Sequence, residues 1–146
     1  MGLSRYLVEG GTIEIESRDR NHALRELVAV LAKSPHIPSE AAFYRSILER
    51  EKLISTGIGF GIAIPHAKTP DIGDFCFAIG RSRDGLEYPS IDDEPVHVLV
   101  MIGGPDDGQS AYLKLLASIQ RFLKKEREAI LAAPTAEDIR ALVDGY

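Results

Sequence analysis

The run Glu94-Pro95-Val96-His97-Val98-Leu99-Val100-Met101-Ile102 limits the fold more than any other stretch of the chain. From Val96 it is almost continuously apolar, whereas a strand with one wet face would alternate. A strand of this kind is covered on both faces, as in an α/β sheet. Gly103-Gly104-Pro105 ends it, and a helical pattern follows from about Gln109 to Lys125, with Tyr112, Leu115, Leu116, Ile119, Phe122 and Leu123 on one side. A strand between helical layers requires further strands and helices, and the rest of the chain contains them.

Thr12 to Glu16 alternates as a short half-exposed strand, while Leu3, Tyr6 and Leu7 suggest a helical turn broken by Gly10-Gly11. Asp19 is placed to cap a helix to about Lys33 whose Leu24, Leu27, Val28 and Leu31 share a face. Ser39 is placed to cap a second helix to about Glu51, with Ala42, Phe43, Ser46, Ile47 and Arg50 in one stripe. Phe75 to Ile79 is a further apolar strand, and the polar stretch Arg81 to Pro89 is expected to be a surface loop. Glu126 to Ala132 adds a helical turn or two, and Thr135 and Asp138 have capping-box spacing ahead of a last helix. Strands alternating with helices predict an α/β fold with a mixed or partly parallel sheet. Residues 1–146 are expected to form one domain.

Several functions are disfavoured. A net charge of −5 argues against nucleic-acid binding. The single cysteine, Cys76, allows no internal disulfide, which fits a reducing cytoplasm. The N-terminus lacks the apolar core of a signal peptide, and no apolar run approaches the roughly 18 residues of a membrane span. Metal-ligand spacings are absent, so no metal or cofactor is expected; nothing in the spacing supports a zinc site from His66, His97 and Asp106. His97 within its strand is expected to be a hydrogen-bonded core or edge residue.

Chemistry is expected at Ser55 to Lys68, Ser-Thr-Gly-Ile-Gly-Phe-Gly-Ile-Ala-Ile-Pro-His-Ala-Lys. Ile62 to Ile64 is a short buried strand, and Pro65 limits its pairing. His66 then lies at a strand-to-loop junction, where functional side chains are common. A neutral imidazole is a nucleophile near pH 7 and can carry a phosphoryl group on nitrogen. Such a group needs positive charge or N–H donors around its oxygens. Arg50, Ser55, Thr56 and the backbone at Gly57 and Gly59 are the candidates. The glycine spacing is neither the dinucleotide fingerprint nor the P-loop, so a nucleotide is not expected.

Arg50-Glu51-Lys52, Ser55-Thr56-Gly57-Ile58-Gly59, Gly61-Ile62-Ala63-Ile64-Pro65-His66 and Tyr112-Leu113-Lys114-Leu115-Leu116-Ala117 together resemble one known family. This is the enzyme IIA domain of the bacterial phosphoenolpyruvate-dependent phosphotransferase system, fructose/mannitol type, including its nitrogen-regulatory branch. The resemblance implies a mixed central sheet with helices on both faces. It implies His66 as phosphoacceptor from the histidine phosphocarrier protein HPr or a counterpart, and Arg50 as a residue holding the phosphoryl group. Onward partners would be a IIB domain or a regulatory target. Two positions depart from the family. Tyr112 stands where a second active-site histidine opens the long helix, and Phe60 stands where a small polar residue is more usual. Tyrosine can donate a hydrogen bond to a phosphoryl oxygen, but with an ordinary pKa of about 10 it shuttles protons poorly. Two readings follow: a phosphoryl relay, or an interaction module that keeps the fold without phosphotransfer.

Overall fold

The computed structural model describes residues 2–146. A 3-10 turn at Ser4–Tyr6 leads into β1 (Leu7–Glu14), α1 (Arg20–Leu31), α2 (Glu40–Leu53), β2 (Gly57–Gly59), β3 (Ile62–Ala63) and β4 (His66–Lys68). These are followed by β5 (Cys76–Leu86), β6 (Val96–Gly104), α3 (Gln109–Ala132) and α4 (Ala136–Asp144). The strands form one mixed sheet in the order β1-β5-β6-β3-β2, with β4 also paired to β6. β6 runs antiparallel to β5 and parallel to both β3 and β4.

β6 is covered on both faces, as its apolar run requires. Leu99 and Met101 pack with α1 and α2, while Val98, Val100 and Ile102 pack with α3 and α4. This alternation follows from the period-two geometry of a strand. The α1 and α2 layer rests on Leu24, Leu27, Leu31, Phe43 and Ile47, and the α3 and α4 layer on Ile119, Phe122, Leu123, Ile139 and Val143. Side-chain caps from Asp19, Ser39 and Thr135 begin three of the helices, and Thr135 and Asp138 form the full reciprocal capping box.

Four sequence expectations are corrected. The chain from Leu7 is extended, and Gly10-Gly11 lies inside β1 rather than ending an element. There the register against β5 slips between Leu7 and Thr12, and Gly10 takes a φ of 66°. The helical segments around Gln109–Lys125 and Glu126–Ala132 are one helix of 24 residues. β1 ends at Glu14, two residues before the expected end. The stretch from Arg81 is not a surface loop: β5 continues to Leu86, and Arg81 is 1% exposed. Its Nε donates to Glu14 Oε1 at 3.0 Å and its Nη1 to the Ile130 and Ala133 carbonyls at 2.8 and 2.5 Å. The Glu14 carboxylate and the carbonyls at the end of α3 together make a buried guanidinium tolerable.

Candidate functional site

β4 is an edge strand at its end of the sheet, because it pairs only with β6, with His66 opposite Ile102. Ala67 points into the α1 and α2 layer, so His66 and Lys68 point to the α3 side. An edge position lets groups from both layers approach one ring.

His66 is half-buried, and its Nδ1 lies 2.9 Å from the Ile64 carbonyl oxygen. A carbonyl can only accept, so Nδ1 carries the proton and Nε2 keeps its lone pair. Burial, aided by the Arg50 charge, holds the imidazole pKa below its ordinary value, against the opposing effects of the Ile64 hydrogen bond and Glu51. The ring is therefore neutral and nucleophilic at pH 7.

Tyr112 lies in the first turn of α3, with its ring centroid 5.6 Å from that of His66 and 6.3 Å from that of Phe75. It is 5% exposed, and burial raises its phenol pKa. Among the described residues its hydroxyl has no protein partner and no buried side-chain polar atom is unsatisfied, so the hydroxyl reaches solvent. Arg50, near the end of α2, donates from Nη1 to the Ile54 carbonyl at 2.9 Å, which folds the guanidinium over its own helix terminus. Its charge acts on both His66 and Tyr112. His66, Arg50 and Tyr112 thus lie in one neighbourhood.

The remaining candidates are engaged elsewhere. Ser55 Oγ donates to the Pro89 carbonyl and accepts from Gly57 N at 3.2 Å. Gly59 N donates to Ser90 Oγ at 3.1 Å. The Gly57–Gly59 strand pairs with β3 at the levels of Leu99 and Val98, three and four residues along β6 from the Ile102 opposite His66. At the usual rise per strand residue that is about 10 to 13 Å. Thr56 is buried, and its hydroxyl donates to Glu51 Oε1. Phe60, with a φ of 60° and 75% exposure, sits at the hairpin tip. Its N–H donates to Asp92 Oδ2 at 3.0 Å and its carbonyl accepts from Arg127 Nε at 2.7 Å. His97 Nδ1 donates to the Ser82 carbonyl at 2.8 Å, the satisfied role expected of it.

Sequence reasoning missed Glu51, Tyr88 and Lys68. Glu51 is 4% exposed rather than part of a solvated helix end. It accepts from the Tyr88 hydroxyl at 2.7 Å and from Thr56 N at 3.4 Å, fastening the segment between Arg50 and the glycine hairpin. Burial and the Glu51 charge push the Tyr88 pKa up, so that phenol remains a donor. The available signal was spacing, since Glu51 continues the i, i+4 row of Phe43 and Ile47. Lys68 was also missed, although it lies two residues beyond His66 on the same face. Its Nζ stands 4.3 Å from the Tyr112 ring centroid and 2.7 Å from Gln109 Oε1.

Residues 7–145 match the family model described as "Phosphoenolpyruvate-dependent sugar phosphotransferase system, EIIA 2". The chain is 36% identical over 136 residues to the fructose-specific EIIABC component of the phosphotransferase system of Bacillus subtilis (strain 168). That alignment covers 92% of this chain and 21% of the relative, so the chain spans about a fifth of that protein's length. It is 31% identical over 131 residues to the fructose-specific EIIA component of Haloferax volcanii, covering 88% of this chain and 85% of that one. Among solved structures, the nitrogen regulatory protein IIA-Ntr of Neisseria meningitidis superposes with a TM-score of 0.81 at 25% identity, covering 96% of this chain and 94% of that one.

Proposed function

The chain belongs to the EIIA 2 family of the phosphoenolpyruvate-dependent sugar phosphotransferase system, and from that premise we propose that its relay step runs through Nε2 of His66. The observation that carries this is the His66 hydrogen bond to the Ile64 carbonyl. It leaves one unprotonated nitrogen on a half-buried ring at a sheet edge, in the field of Arg50. Nε2 attacks the phosphorus of a phosphohistidine carrier of the HPr type as the carrier's P–N bond breaks. The electron pair of that bond returns to the carrier's imidazole. Arg50 steadies the oxygens of the moving group. Glu51, Thr56, Ser55 and Gly57 hold the loop that positions Arg50, in place of direct contact with phosphate.

The partner is a protein. Leu53 and Ile54, just beyond Arg50, and Leu113, next to Tyr112, are 81%, 67% and 52% exposed and offer apolar contact around the ring. Loading adds about 1.5 to 2 negative charges among them, which changes what can dock. The phosphoryl group then passes to a IIB domain or its presence is read by a regulatory target, in the cytoplasm.

Incubation with phosphoenolpyruvate, enzyme I and HPr tests the reading. The expected result is an acid-labile gain of one phosphate that His66→Ala abolishes. Tyr112 favours a second reading, an interaction module that keeps the fold without the transfer. Absence of labelling under conditions that load a control IIA domain would support that alternative.

A further inference from the structure

We propose that Lys68 is a phosphoryl-binding cation of this site, held ready by Tyr112 and Gln109. The inference rests on the relay reading of His66 and adds a residue that binds the loaded group.

Residues two apart on a strand share a face, so Lys68 and His66 leave β4 side by side. Both meet the same aromatic ring. The His66 ring is 5.6 Å from Tyr112, and the Lys68 ammonium is 4.3 Å from it. Gln109 Oε1, 2.7 Å from Nζ, accepts from the ammonium one turn of α3 before Tyr112. An ammonium has three N–H donors. Gln109 takes one and the Tyr112 face attracts the charge, so the remaining donor capacity is open to a ligand.

The electrostatic setting also calls for an anion. Among the described residues no carboxylate pairs with Lys68. The exposed Asp106 and Asp107 precede α3 without reaching it. Gln109 is the first residue of α3, whose N-cap, Gly108, supplies no side-chain cap. Lys68 is therefore held at the positive end of a 24-residue helix, where a cation is disfavoured. Arg50 adds a further positive charge from the opposite layer, and the Glu51 carboxylate, engaged by Thr56 and Tyr88, offsets it in part. A dianionic phosphoryl group on Nε2 resolves this concentration of like charge. In the transfer Lys68 exchanges no proton; it donates to an oxygen of the phosphoryl group while the N–P bond forms.

Two loading routes separate this inference from the reading beneath it. Phosphorylated HPr tests carrier-dependent loading. Phosphoramidate phosphorylates accessible imidazoles without a carrier, and the His66→Ala protein identifies the His66 signal. With either route, Lys68→Met is expected to shorten the lifetime of the His66 phosphoryl group and raise its second ionisation, followed by 31P NMR titration. The loading rate from phosphorylated HPr should fall by about tenfold to a hundredfold, the weight of one charge-assisted hydrogen bond. Lys68→Arg should restore most of both. A 31P titration and loading rate unchanged in Lys68→Met would overturn the role of Lys68 and leave the relay standing. If HPr does not load the protein but the phosphoramidate-loaded His66 signal still depends on Lys68, the relay falls and the cation site stands.

Discussion

The Nδ1–H of His66 donates to the carbonyl oxygen of Ile64 at 2.9 Å, a bond made across Pro65 within one short stretch of backbone. Pro65 has no N–H of its own, while its carbonyl accepts from Ile102 N at 3.0 Å and ties the turn to β6. The tautomer of the imidazole is thus set by backbone, while the Tyr112 ring packs against it. Phosphorylation should occur at Nε2 and not at Nδ1. Proton, phosphorus and nitrogen correlation spectra of the loaded protein would distinguish the two, and a signal from the Nδ1 isomer would contradict the assignment.

The titration of His66 gives a second prediction. Burial and the Arg50 charge both disfavour the imidazolium, so its inflection should lie below the ordinary value of about 6.5. Because the folded pKa is lowered, the contribution of this group to stability is fully present above the ordinary imidazole pKa. It is lost as pH falls toward the folded value. Arg50→Met should move the inflection upward, read from the ring-proton shifts against pH. A downward move would mean that the guanidinium does not face the ring.

Glu51 and Tyr88 support the loop behind Arg50, so weakening them should affect both folding and transfer. Tyr88→Phe removes one of the donors to a buried carboxylate. The expected loss is about 1–3 kcal/mol of unfolding free energy in urea melts. Loading of His66 should slow as well, because Glu51 and Thr56 each lose their contact with the Tyr88 hydroxyl. An equal loss of stability with normal loading would make the cluster purely structural.

Local features of the chain were legible from sequence, and long-range neutralisation was not. The caps at Asp19, Ser39 and Thr135 involve only the turn that follows each of them, and spacing reveals them. The motif around His66 was legible because a few consecutive residues encode it. Arg81 looked like a loop residue because its carboxylate partner, Glu14, is 67 residues away. Glu51 looked solvated because Tyr88 is 37 residues further on. The glycine hairpin seemed to adjoin the histidine because the two are close in sequence, but pairing to different levels of β6 separates them.

Arg81 is the point at which the sheet holds the end of α3. Breaking a buried pair by removing one partner leaves the other group uncompensated and costs about 3–5 kcal/mol. Glu14 is partly solvated, with its side chain 34% exposed, and keeps Arg83 as a second partner at 3.1 Å, so the lower end of that range is expected for Arg81→Ala. The Arg81 hydrogen bonds hold the Glu14 carboxyl below its ordinary range, so their contribution is present above the ordinary carboxylate pKa and lost as pH falls through the lowered value. The wild type should therefore lose stability in acid more steeply than Arg81→Ala. Melts of the two proteins across that window would test this, and parallel curves would refute it.

Gly104, at the end of β6 and opposite Lys68, offers a test of the aromatic support under the site. A Cβ there would run into the ring of Phe75, with Cδ1 and Cε1 the nearest atoms. Phe75 stacks on Tyr112, which in turn packs against His66 and underlies Lys68. Gly104→Ala should therefore displace the Phe75 ring at a cost of about 1–3 kcal/mol, the usual range for overpacking a filled core. The shift should pass through Tyr112 to the two groups on its face. Gly104 is also the pairing partner of Lys68 across β4 and β6, so the signature that reports through Tyr112 is a change in the His66 ring-proton shifts, accompanied by a slower loading rate. Phe75→Ala removes every ring atom that obstructs the new methyl group, so Gly104→Ala should cost less stability in that background than in the wild type. If Gly104→Ala destabilises the fold while the His66 resonances stay in place, Tyr112 is not held by Phe75, and the aromatic support under the site must come from α3 alone.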